Sequence, residues 1–277
     1  MESMNPAFKT VIILVVLYLL YALLLFIFQR WLIYPGQFIK QNPQPSYVVR
    51  GITGIRRIWL NTGQNGKTEA WYRAPEEKDT LALPLVIFAH GNYELIDDNL
   101  EVMLALNKMG CAVLSVEYPG YGRSQGKPSK ETIVGTFLAA YDRIKNELEN
   151  TPQRIIGYGR SLGGGAVCAL AQQRHLDALI LQSTFARLRD FTAGYFVPPF
   201  LLRDDFDNLQ IVKNFRGPML LLHGRKDEVI PFSQGKRLAG INPSARFVAT
   251  SYGHNDFPFP FENIRNFLQE NGLLSTR

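Results

Sequence analysis

The sequence predicts an α/β domain, a mostly parallel central sheet with helices on both faces and a short lid, carried behind an N-terminal transmembrane helix. Three observations predict it. The chain opens on a long apolar run that contains no charge. Further on, short apolar runs bounded by turn residues alternate with longer helical segments, the pattern of strands buried on both faces and joined by crossover helices. Finally, "RIIGYGRSLGGGAV" (Arg154 to Val167) passes from apolar strand through a glycine-rich turn into a small-residue helix.

The N-terminal run, "VIILVVLYLLYALLLFIF" from Val11 to Phe28, holds 18 consecutive apolar residues. That meets the length needed to cross the hydrocarbon core. It exceeds the hydrophobic stretch of a signal peptide and ends in bulky "FIFQRW" with no small-residue cleavage site, so residues 1–34 are expected to be an uncleaved anchor with its interface. Trp31 and Tyr34 fit an interfacial aromatic belt. Lys9, offset by Glu2, precedes the run, while Arg30 and Lys40 follow it; this leaves the side of the membrane open.

Residues 35–47, rich in Pro, Gln and Asn, read as a linker or extended arm, and the folded α/β domain is expected over 48–277. "GIRRIWLNT" and "TEAWYRAP" flank the turn "GQNG" and suggest an antiparallel hairpin. Strands are expected at Leu83 to Gly91, Cys111 to Tyr118, Arg154 to Gly159, Leu176 to Ser183, Gly217 to Gly224 and Ala245 to Ser251. Helices are expected at Asp98 to Met109, Lys130 to Glu149, Leu162 to Arg174, Phe232 to Ala239 and Pro260 to Glu270. One connection breaks the rhythm. Residues 184–216 separate two strands by 33 residues and carry adjacent prolines, Pro198 and Pro199, which predicts a lid.

Composition narrows the function. At 46% hydrophobic and 12% aromatic, 277 residues supply ample apolar surface for a core. The net charge of +6 comes from 30 scattered Lys and Arg, without the basic run or aromatic-interleaved patch of a nucleic-acid groove. Cys111 and Cys168 lie in apolar contexts and read as core residues, and no Cys or His spacing suggests zinc. No metal or organic cofactor is implied.

Two pentads match the G-x-S-x-G pattern that presents a serine nucleophile: Gly122 to Gly126 and Gly159 to Gly163. Such a serine needs a strand running into a sharp turn, with small residues that let the next helix pack closely. Ser161 has them: strand to Tyr158, then Gly163, Gly164, Gly165 and Ala166. Ser124 lies among Pro119, Gly120, Gly122 and Pro128, in a loop well past its strand. Ser161 is therefore the candidate nucleophile and Ser124 a decoy.

A serine also needs a base, and the base an orienting carboxylate. In hydrolases built on this elbow the chain order is serine, acid, histidine. His254 in "SYGHNDFP", just past the last strand, is the candidate base, while His223 at a strand end reads as structural. Asp227, on the loop after the penultimate strand, is the candidate acid, with Glu228 left open beside it. Asp256 is too near His254 in the chain to orient its ring, and Asp204, Asp205 and Asp207 read as solvated charges. The oxyanion calls for two backbone N–H donors. Leu162 follows the nucleophile, and Asn92, with Tyr93 as alternative, lies on the loop after the first parallel strand. His90 reads as a scaffold residue and His175 as an exposed helix end.

With these residues placed, "FAHGN", "VEYPGYGRSQGKPS", "IIGYGRSLGGG", "MLLLHGRKDEVIPF" and "GHND" make the region from about Ile55 to Leu268 resemble the α/β-hydrolase superfamily. More closely it is similar to the Bem46-like branch, which also contains membrane-associated acyl-protein thioesterases and lysophospholipid hydrolases. The resemblance implies hydrolysis of an ester, thioester or amide through an acyl-enzyme, and it does not fix the acyl donor. The second pentad falls in a segment that this branch carries as a structural loop. One departure is visible: a transmembrane helix stands where the depalmitoylating relatives carry cysteine-rich tails. The expected function is a membrane-anchored serine hydrolase acting on a small-molecule, lipid or acylated substrate; the alternatives are a non-catalytic binding protein of the same fold and a peptidase.

Overall fold

Uninterrupted aliphatic runs have no polar face to give to water, so they become strands covered on both sides. In the computed structural model, which describes residues 5–62, 66–75, 84–147 and 154–274, they build one eight-stranded sheet. Its strands are β1 Ile55–Asn61, β2 Lys67–Arg73, β3 Leu85–Ala89, β4 Ala112–Val116, β5 Ile155–Arg160, β6 Ala178–Gln182, β7 Met219–Gly224 and β8 Ala245–Thr250, in the order β1-β2-β4-β3-β5-β6-β7-β8. The β1–β2 hairpin is antiparallel, with Ile58 opposite Ala70, and β2 joins β4 antiparallel. All later pairings are parallel. The tip of that hairpin, residues 63–65, lies outside the described residues, as does Leu83 of the expected third strand.

Alternate residues of each strand feed opposite layers. Leu85, Ile87, Leu114, Leu179 and Leu221 face α4 (Lys130–Glu147), α5 (Leu162–Gln173), α6 (Asn208–Asn214) and α7 (Phe232–Ile241), burying Ile133, Phe137, Val167, Val212 and Leu238. Val86, Phe88, Val113, Ile156 and Leu220 face α3 (Leu100–Lys108) and α8 (Phe261–Glu270). The expected helices thus stand in place with small shifts. The expected start at Asp98 is a 3₁₀ turn, Ile96–Asn99, ahead of α3, and residues 148–149 of the expected Lys130 helix lie outside the described residues.

From β3 the chain moves outward to β4 on one side; from β5 it moves to β6, β7 and β8 on the other. The reversal falls between β3 and β5, and a crevice opens at such a point outside the carboxyl ends of the strands. The loops of Asn92 and Ser161 lie there.

Two segments differ from their sequence reading. Residues 35–47 pack along the domain through a 3₁₀ turn (Pro35–Phe38), a bond from the Gly36 N–H to the Asn92 carbonyl (3.1 Å), and Ser46 and Gln41 bonded to Asp97. A further turn, α2 (Ser46–Val49), sets Tyr47 edge-on against Trp71. Segment 184–216 divides in two. Residues 188–201 form two 3₁₀ turns closed at the base by a bridge between Arg187 and Asp207, and α6 then covers the sheet as an ordinary crossover helix. The apolar spacing of Leu209 and Val212 was masked in the sequence by the aspartates before it. The N-terminal helix, α1, spans Pro6–Ile33, with Asn5 accepting a bond from the Ala7 N–H at its start. Its 28 residues reach about 42 Å at 1.5 Å per residue, against a hydrocarbon core of about 30 Å.

Candidate active site

Ser161 directly follows β5 and stands at the N-cap position of α5, at φ 53° and ψ −119°, a conformation uncommon for a residue with a side chain. The glycines around it explain how α5 can come so close. A Cβ on Gly163 would overlap the Ala89 carbonyl of β3, and one on Gly164 would overlap the Thr184 side chain. Backbone bonds fix the turn: the Ser161 N–H donates to the Gln182 carbonyl (2.9 Å), and the Thr184 hydroxyl donates to the Ser161 carbonyl (2.7 Å).

Loops from β7 and β8 bring the other two candidates to the same place. His254 Nε2 lies 3.1 Å from Ser161 Oγ, and His254 Nδ1 lies 2.9 Å from Asp227 Oδ2. All three side chains are buried. Burial opposes the charge on Asp227, but the bond from His254, the Ile230 N–H and the nearby imidazoles hold its carboxyl below the usual carboxylate range. A carboxylate only accepts, so His254 Nδ1–H donates to it and Nε2 is left to accept from the Ser161 hydroxyl. Asp227 Oδ1 is itself fixed by the N–H groups of Val229 (3.0 Å) and Ile230 (2.7 Å).

The residues left open in the sequence separate on contacts. Glu228 touches His254 through the backbone, accepting from its N–H at 3.3 Å, and does not reach the ring bond that Asp227 makes. Asp256 accepts from the Gly253 N–H and ties the turn. His223 Nε2–H donates to the Ile230 carbonyl at 2.9 Å, and burial pushes its pKa down, as suits a neutral structural ring. His90 lies between the Gly91 carbonyl and buried Glu117, in the scaffold of its loop, and His175 is exposed. Ser124 Oγ accepts from the Glu69 N–H in a turn whose Gly120, Gly122 and Gly126 all have positive φ. Cys111 is buried, with its thiol pushed up to about 12, and burial raises the Cys168 thiol as well.

Asp204, Asp205 and Asp207 are not the solvated charges that their sequence suggested. Asp204 is buried and paired bidentately with Arg30 at 2.7 and 3.0 Å, while Asp205 and Asp207 pair with Arg189. Their partners lie far away or in irregular chain, so no local spacing announced them. Sequence reasoning also passed over Arg160. Its guanidinium donates to the His254 carbonyl at 3.0 Å and pairs with Glu94 of the Asn92 loop, fastening three loops at the site. The letter before a nucleophile carries no signal of its own.

Ser161, Leu162 and Asn92 line one cavity of about 300 Å³, the low end of the range for small-molecule sites. Tyr93 is exposed and does not line it. Among the described residues, the Asn92 and Leu162 N–H groups donate to no protein acceptor. The remaining wall is almost wholly apolar, with Phe185, Leu188, Phe191 and Leu201 opposite α1.

The chain is similar to several known proteins. A family model described as serine aminopeptidase, S33, matches residues 82–203. The α/β-hydrolase domain-containing protein WAV2 of Arabidopsis thaliana is 30% identical over 217 residues, 69% of this chain and 69% of that one. The lysophosphatidylserine lipase ABHD12 of Xenopus tropicalis is 32% identical over 212 residues, 68% of this chain and 53% of the lipase. The solved structure of the Pyrococcus furiosus esterase Pf2001 shares the fold, with a TM-score of 0.66 at 19% identity over 84% of this chain and 96% of the esterase. The chain belongs to the α/β-hydrolase superfamily.

Proposed function

We propose that this protein is a membrane-anchored serine hydrolase that cleaves acyl esters or thioesters through an acyl-enzyme. The observation that carries the reading is the unbroken contact from Ser161 Oγ through His254 to Asp227 at the wall of an apolar cavity. As His254 Nε2 takes the hydroxyl proton, Ser161 Oγ attacks the acyl carbonyl. The developing oxyanion is met by the N–H groups of Leu162 and Asn92, in a site with little water to weaken them. The tetrahedral adduct collapses, the carbonyl re-forms, and the bond to the leaving alcohol or thiol breaks while His254 returns the proton to it. Water, deprotonated by the same ring, then attacks the acyl-serine, and collapse releases the fatty acid and restores Ser161.

Two further observations support this substrate class. The cavity offers an acyl chain apolar walls and an amine almost nothing. A peptidase acting at a free N-terminus needs an uncommitted carboxylate, and Asp204, Asp205 and Asp207 are already held by Arg30 and Arg189. The relatives include a protein named as a lysophosphatidylserine lipase, which fits an acyl-lipid substrate. The 18-residue stretch of α1 from Val11 to Phe28, with a mean hydropathy of 3.2 and no acidic or basic side chain, supports the anchor.

A chain-length series of acyl esters and thioesters, run on the full-length protein in detergent, tests the reading. Medium or long chains should be hydrolysed faster than acetyl, and Ser161→Ala should abolish turnover. A protein that hydrolyses none of them, or prefers acetyl, contradicts the proposal and favours the non-catalytic binding protein or another acyl class.

A further inference from the structure

Helix α1 does more in this structure than reach a membrane. From Phe8 to Tyr21 its side chains are exposed, but from Tyr18 onward one face lies against the lid. The residues of that face recur at 18, 21, 22, 25, 29 and 32–33, the spacing of a single helical stripe. The contacts are specific. The Tyr18 and Tyr21 hydroxyls donate to the Phe196 (3.1 Å) and Tyr195 (2.9 Å) carbonyls at the lid tip. The Gln29 amide donates to the Leu201 carbonyl (3.1 Å) and accepts from the Arg203 N–H (2.7 Å), and Arg30 holds Asp204. A side-chain amide at the end of an apolar helix is costly in hydrocarbon unless protein satisfies it, and here protein does.

Between this face and the lid lies the cavity that contains Ser161. Six of its lining residues, Ala22, Leu25, Phe26, Gln29, Leu32 and Ile33, come from α1. The direction of the cavity follows from the same contacts. Asn92, beside the nucleophile, donates from its side chain to the Ile33 carbonyl at 3.1 Å, at the end of α1 that meets the catalytic domain. Ala22 lies eleven residues back, about 16 Å away along the axis and within the apolar run.

We infer that α1 is a wall of the acyl-binding site, and that the acyl chain of the substrate enters sideways from the leaflet. The carbonyl rests at Ser161, at the end of the helix facing the domain, and the chain runs along Leu32, Leu25 and Ala22 towards the bilayer centre. An acyl lipid already has that orientation in its leaflet, so it need not be turned or lifted into water to reach the serine. The exposed Phe196 and Phe200 on the lid tip, beside the apolar part of α1, extend the same surface into the lipid. This inference rests on the hydrolase reading and adds to it that the anchor selects the chain.

Two fluorophosphonate probes, one ethyl and one hexadecyl, separate the two claims on full-length protein in detergent micelles. Labelling of wild-type Ser161 by the ethyl probe reports the hydrolase reading by itself. Ala22→Trp fills the far end of the cavity and should lower the hexadecyl-to-ethyl rate ratio by about tenfold or more. Leu24→Trp, which places the same indole on the exposed side of α1, should leave the ratio at the wild-type value. An unchanged ratio in Ala22→Trp, or wild-type protein labelled by the ethyl probe alone, overturns the inference and leaves the hydrolase reading standing. Wild-type protein labelled by neither probe overturns both. Where Ala22→Trp fails to fold, Leu25→Ala applies the same test by widening the cavity: preference across an alkyl-chain series should move to longer or branched probes, and an unmoved preference overturns the inference.

Discussion

Ser161 is held with a positive φ, which costs about 1–3 kcal/mol and persists only because its surroundings over-determine it. Its backbone bonds to Gln182 and Thr184 are independent of its hydroxyl, so the turn and the chemistry are separable. The carboxylates near His254 are separable too. Asp227→Asn should lower kcat by about 10⁴-fold by presenting the wrong tautomer, while Glu228→Gln, whose partner is only a backbone N–H, should cost less than about tenfold; steady-state ester hydrolysis distinguishes them. Asp227 also sets a pH signature. Its carboxyl is held below the ordinary range, so the stability it contributes is present above about pH 4 and is lost as pH falls through the lower folded value. The gap in Tm between wild type and Asp227→Asn should therefore narrow when thermal scans move from pH 7 to pH 3. Serine and base were legible in the chain because strand ends announce them. The choice between Asp227 and Glu228 was not: adjacent residues on one loop differ only in which way the turn points them.

At the scale of elements, the glycines leading α5 are a packing requirement. Gly163 has no room for a Cβ against the rigid β3 backbone, so Gly163→Ala should push α5 off the sheet and cost about 1–3 kcal/mol or more in chemical denaturation. Gly135, exposed within α4 with nothing near it, gives the opposite sign: Gly135→Ala should stabilise by about 0.5–1 kcal/mol. Strands and long helices were readable because hydrophobic period is a local property, and their ends moved by only a residue or two. Segment 184–216 was not, since its 3₁₀ turns are short and are held by Arg30 and Gln29, far away in the chain, and by the internal pairing of Arg189 with Asp205.

Across the whole molecule, α1 is joined to the α/β domain by polar contacts with residues 195–204, chiefly Arg30 with buried Asp204. Arg30→Ala removes the bidentate partner of that carboxylate and should cost about 1–3 kcal/mol; adding Asp204→Asn should recover part of the loss in thermal unfolding. The sheet order was within reach of sequence, as alternating strands and helices leave few topologies. The docking of a uniformly apolar helix was not, because such a run carries no record of which face meets protein. Central to the proposed function is that Ser161, and not the serine of the matching pentad at Ser124, is the nucleophile. Treating the full-length protein with diisopropyl fluorophosphate and mapping the modified peptides tests this most directly. A single diisopropylphosphorylated site at Ser161, lost in Ser161→Ala and retained in Ser124→Ala, is the predicted result; no adduct at all, or one that survives Ser161→Ala, would contradict it.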